Sequence, residues 1–76
     1  MPQYIFRLDP ASEDGAEAIV QTLENDEVAV HVARRMLGVG RASVRVGRGA
    51  GEAVRWLGAW ETRSRRAAWR EEGEGA

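Results

Sequence analysis

Few residues in this chain could do chemistry. His31 is the sole histidine, and Glu27 stands one helical turn before it. A carboxylate beside an imidazole can orient a general base, but catalysis would also need a neighbouring nucleophile, and the chain has no cysteine. A metal centre would need further ligands at a suitable spacing, and none stands out. A solitary histidine on the polar side of a helix is ordinarily just solvated. Gly47-Arg48-Gly49-Ala50-Gly51 invites a phosphate-loop reading, yet it lacks the Lys-Ser/Thr of such loops and no helix clearly follows it. A hairpin turn that needs positive φ explains its glycines without a ligand. The adjacent acids Glu13/Asp14 and Asp26/Glu27 are explained by turn formation and helix capping. No catalytic, cofactor-binding or metal-binding residue is assigned, and the chain reads as a non-enzyme.

Arginine and tryptophan in the second half are the better lead, because these types dominate contact energies at interfaces. The candidate partner-binding residues are Arg45, Arg48, Arg55, Trp60, Arg65, Arg66 and Trp69. Trp69 lies among Arg65, Arg66 and Arg70 and could stack on an arginine, on a base or in a partner's pocket. Trp56 is expected in the core.

Charge supports the same division. All 11 basic residues are arginine, and the net charge is −1. One arginine and seven acids fall in residues 1–33, whereas ten arginines and two acids fall in 34–70, and three glutamates follow. Such asymmetry fits an acidic or nucleic-acid partner, or two halves that face each other in the fold. An acidic overall balance argues against a dedicated nucleic-acid binder. No apolar run approaches the ~20 residues of a membrane span, and no stretch resembles a signal peptide. A cytoplasmic protein is the expectation.

The elements that must position these residues centre on Asn25–Gly38. Asn25 is a good N-cap, Asp26 and Glu27 suit the positive end of the helix dipole, and Arg34, Arg35 and Gly38 suit the other end. At about 100° per residue, Val28, Ala29, Val32, Ala33, Met36 and Leu37 share one face. Tyr4–Leu8 alternates as a strand with Tyr4, Phe6 and Leu8 together. Residues 16–23 have both helical and strand spacing, and the strand is favoured, paired with the first as a hairpin. Ser43–Val46 alternates with Val44 and Val46 inward. Val54–Trp60 gives a last strand with Val54, Trp56 and Trp60 on one face. The expected fold is α+β, a small antiparallel sheet with one amphipathic helix packed on one face, in the order β-β-α-β-β. It should form a single domain over residues 1–61. Residues 62–76 read as an arginine-rich, then acidic, C-terminal tail with a short helix near 64–70.

The opening Met1–Leu8, the acidic turn Glu13-Asp14-Gly15, the Asn25-Asp26-Glu27 helix start and the final hairpin together resemble a family of small proteobacterial proteins that open MPRYFF and read β-β-α-β-β. The likeness covers about residues 1–61, departs at Ile19–Leu23, and implies no activity. In size, lack of cysteine and helix-on-sheet build, the chain is also loosely similar to small phage-encoded inhibitors such as anti-CRISPR proteins. That likeness implies an inhibitor of a host defence complex. The functional expectation is therefore a non-catalytic protein-binding module, with a homodimer as an open alternative. The rival reading is weak nucleic-acid binding through the arginine-rich half.

Overall fold

The structure is a computed structural model, and it describes residues 1–38, 40–49, 51 and 53–72. Val39, Ala50 and Glu52, within expected connections, and the last four residues of the expected tail, 73–76, lie outside the described residues. The elements are β1 (Gln3–Asp9), β2 (Ala18–Thr22), α1 (Asp26–Leu37), β3 (Ser43–Arg48), β4 (Arg55–Arg63) and β5 (Arg66–Glu71). All five strands form one antiparallel sheet in the order β2-β1-β3-β4-β5. The α+β class and the helix on one face are as the periodicities predict.

Strand alternation puts Tyr4, Phe6 and Leu8 of β1 and Val44 and Val46 of β3 on the covered face. They meet Ala29, Ala33 and Leu37 of α1, and these eight residues form the buried core. The helix is turned slightly from the valine-centred face, so that Val28, Val32 and Met36 flank the contact and the two alanines lie at its centre. Small side chains there let the backbone of α1 come close to the sheet, which suits a chain too short to bury a large core. Asn25 caps the helix, its side chain accepting from the Val28 N–H at 2.9 Å. At the other end Arg41 donates to the Met36 carbonyl at 2.7 Å and satisfies a terminal acceptor.

Three expectations need correction. The expected tail over residues 62–76 is corrected in its described part, 62–72, and there is no helix near 64–70: β4 continues to Arg63 and β5 pairs along it from Arg66 to Glu71. Ser64 and Arg65 make the two-residue loop, both with positive φ of 50° and 66°. That is the twist a tight hairpin needs, although Asn-Gly supplies it at lower cost. Second, Trp56 is not in the core. Val46 faces Gly58 while Gly47 faces Trp56, so Leu57 is an extra residue on β4. This bulge reverses the alternation, sending Trp56 to the open face and leaving Trp60 on the covered one. Third, Gly47 belongs to β3, not to a turn. It is buried, and a Cβ there would lie 2.9 Å from the Trp56 ring.

Tyr4 ties the helix start to the sheet. Its buried hydroxyl donates to Asp26 Oδ1 at 2.7 Å, and Arg48 reaches the same oxygen at 3.3 Å. Burial, then the bond to Asp26 and its negative charge, push the phenol above its ordinary 10.0. A raised folded value favours the protonated phenol. Its contribution to stability is complete below the unfolded value and is lost as pH rises through the folded one. We expect alkaline unfolding to accompany tyrosine ionisation, followed by ultraviolet absorbance and circular dichroism together. Tyr4→Phe should cost about 1 kcal/mol at neutral pH and remove that alkaline loss. A tyrosine that ionises at its ordinary value in the folded protein would contradict this account.

Candidate functional site: an arginine cleft

The β4–β5 hairpin is held under α1 by tryptophan. Trp60 Nε1 donates to the Val30 carbonyl of the helix at 2.8 Å. Its ring meets Trp69, its cross-strand partner, at 5.4 Å between centroids and a 58° tilt, which is a favourable aromatic arrangement. The guanidinium of Arg34 lies 5.5 Å from the Trp60 ring centre. Gly58 makes room for the hairpin, because a Cβ there would strike the Trp69 ring and the Arg70 carbonyl. Thr62 fastens β4 at its far end, its hydroxyl donating to the Arg41 carbonyl at 2.9 Å.

Between the last turns of α1 and the tip of this hairpin runs a cleft of about 450 Å³. His31, Arg34, Arg35, Thr62, Arg65 and Arg66 give it its polar lining, and among the described residues no carboxylate lines it. The arginines found in ion pairs are elsewhere: Arg45 with Glu72 at 2.7 Å, Arg48 with Asp26, and Arg63 and Arg70 with Glu61 at 3.0 and 3.6 Å. Among the described residues none of Arg34, Arg35, Arg65 and Arg66 is paired with a carboxylate. The carboxyl end of the helix offers only roughly half a negative charge, which four guanidiniums exceed. The cleft is therefore suited to anionic groups, with planar donors that can grip a carboxylate or phosphate in bidentate fashion.

The candidate residues divide into separate places. Arg65 and Arg66 line the cleft. Trp60 and Trp69 stand behind it as partly buried supports, so the expected free contact role of Trp69 is corrected: its ring packs against the core. Arg45 lies on the open face of the sheet, stacked 3.9 Å from the Trp56 ring centre and paired with Glu72. Arg48 is tied to Asp26, and Arg55 faces it across the strands, away from the cleft. Arg41 is engaged in helix capping. Sequence reasoning missed Arg34, Arg35 and His31 as site residues, because on a helical wheel they are simply the polar face. Their convergence with Arg65 and Arg66 depends on the hairpin, whose Ser64-Arg65 loop carries no Asn-Gly signal. Among the described residues no group of His, Asp and Glu is placed to hold a metal ion.

No family model, curated protein or solved structure matches the chain. The likenesses to a proteobacterial family and to phage inhibitors rest on their short motifs and general build alone.

Two substitutions should move stability in opposite directions. Gly58→Ala must push Trp69 or the β5 backbone aside and should cost about 1–3 kcal/mol. Ser64→Asn with Arg65→Gly relieves two strained residues and should gain about 1 kcal/mol or more. Thermal melts followed by circular dichroism check both. A neutral Gly58→Ala would show that the hairpin is not seated as described.

Proposed function

We propose that the protein is a non-catalytic binding module that docks an acidic surface of a partner protein into the arginine cleft. The observation that carries this reading is the collection at one site of four arginines, unpaired among the described residues, while Arg45, Arg48, Arg63 and Arg70 are paired locally. Like charges gathered without partners oppose folding, and Arg65 is in addition held at positive φ. Strain and repulsion concentrated at one place are characteristic of a site shaped for a ligand. His31 stands among these arginines with no carboxylate of the described residues lining the cleft to orient it as a base, which favours binding over catalysis.

A protein partner is favoured over nucleic acid by the tryptophans and by the charge distribution. Trp60 spends its N–H on the helix and its face on Trp69 and Arg34, so neither ring is free to stack on bases. Acidic residues Glu13, Asp14, Glu17, Glu24 and Glu27 are exposed elsewhere on the molecule. They limit the basic surface that an extended polyanion could follow.

The test compares Arg35→Glu/Arg65→Glu with the control Arg7→Glu/Arg55→Glu, which leaves the cleft intact. A partner captured from nuclease-treated lysate of the native source, then purified, should bind the cleft variant about 100-fold more weakly and the control within a few-fold. Undiminished binding by the cleft variant would overturn the proposal. So would submicromolar binding of short DNA or RNA at ~150 mM salt, well below the ~10⁻⁴–10⁻⁶ M of non-specific contact.

A further inference from the structure

The five-stranded sheet is open at both edges, and its two edges differ. β5 carries Arg66, Arg70 and Glu71 along its length, the kind of charge that guards a free edge. β2 reads Ala18-Ile19-Val20-Gln21-Thr22, with no charge, no proline and no bulge. Helix α1 lies over β3, β4 and β1, leaving β2 at the margin. Val20 is 49% exposed, unusual for a large apolar side chain in this protein.

The hydrogen bonding of β2 fixes which of its groups are free. The Leu8 N–H donates to the Glu17 carbonyl at 2.8 Å, and the Leu23 N–H donates to the Pro2 carbonyl at 3.1 Å. With Ile5 opposite Val20, these bonds place residues 17, 19, 21 and 23 in the hydrogen-bonded pairs with β1. The backbone N–H and C=O of Ala18, Val20 and Thr22 therefore point outward, away from the sheet. An antiparallel neighbour centred on Val20 would satisfy all of them. Val20 would exchange both bonds with its own counterpart, and Ala18 would do so with Thr22.

We propose that this edge pairs with the β2 edge of a second copy of the chain, forming a two-fold dimer with one continuous ten-stranded antiparallel sheet. The strand is self-complementary in that register. Ala18 faces Thr22, Ile19 faces Gln21 and Val20 faces Val20, so no charge opposes a like charge within the strand. At its flanks Glu17 faces Leu23 and Glu24 faces Ala16, so neither acid is set directly against an acid. The two Val20 side chains meet on the open face beside Ile5 of each copy, extending an apolar row that already runs from Val20 through Ile5 to Gly47 under Trp56. A closed two-fold contact is the commonest form of self-association, and it consumes the exposed edge completely. It leaves the arginine clefts at the two far ends of the joined sheet, so the inference does not depend on the function proposed for them.

The experiment is sedimentation equilibrium on the full chain, with amide exchange by NMR at Ala18, Val20 and Thr22. A dimer is expected that persists in ~1 M salt, with those three amides protected although β1 does not bond them. Val20→Lys sets two cations against each other at the centre and should raise the dissociation constant about tenfold or more. Its circular dichroism should be unchanged, because Val20 is outside the core. A chain that remains monomeric at millimolar concentration overturns the proposal. Association that survives Val20→Lys but is lost in Arg65→Glu/Arg66→Glu or in high salt also overturns it, by assigning the contact to the charged edge. Rapid exchange at the three amides within a dimer does the same.

Discussion

The contact between Trp60 and the carbonyl of Val30 is the constraint on which the rest of this structure depends. A sheet of five strands under a twelve-residue helix is wider than its cover. The helix seals the central strands with alanines and one leucine, and the β4–β5 side needs another means of closure. Trp60 supplies it by reaching up to the helix backbone with its N–H while lying against Trp69 with its ring. The bulge at Leu57 separates the two tryptophans of β4: Trp60 stays on the covered face opposite Val44, and Trp56 turns to the open face opposite Gly47.

Seating the hairpin in this way has an electrostatic cost and a functional consequence. The last turns of α1 carry Arg34 and Arg35, and the hairpin tip brings Arg65 and Arg66 to the same place. Mutual repulsion among these exposed arginines is screened by solvent and small, yet it adds to the strain of Ser64 and Arg65. The aromatic contacts and the ordinary ladder of β4 with β5 hold the arrangement together. The cleft is thus prepared before any anion arrives, which reduces the cost of ordering side chains on binding.

Much of this was legible in the sequence, and the parts that were not share a cause. Tyr4, Phe6 and Leu8 alternate without interruption, Asn25 caps its helix by an ordinary rule, and Val44 and Val46 flank one arginine. In each case local pattern and final structure agree. The failures lie between Gly47 and Glu71. A single-residue bulge inverted the face of Trp56, and no propensity signals a bulge in Trp56-Leu57-Gly58. Ser64-Arg65 makes a turn that most sequences make with Asn-Gly, so β5 resembled a frayed charged tail. With β5 unrecognised, Arg34 and Arg35 had nothing to face. The cleft was invisible because it is a product of tertiary pairing, although two of its four arginines, Arg65 and Arg66, were already suspected from composition.

The arginine side chains themselves provide the most direct test of whether the four form one site. Their Nε–Hε resonances can be followed by ¹⁵N-correlated NMR while a short polyglutamate peptide is added at constant ionic strength. The account predicts that Arg34, Arg35, Arg65 and Arg66 shift together along one binding curve while Arg7 and Arg55 stay nearly still. Shifts spread evenly over all exposed arginines, or separate curves for the helix pair and the hairpin pair, would contradict it.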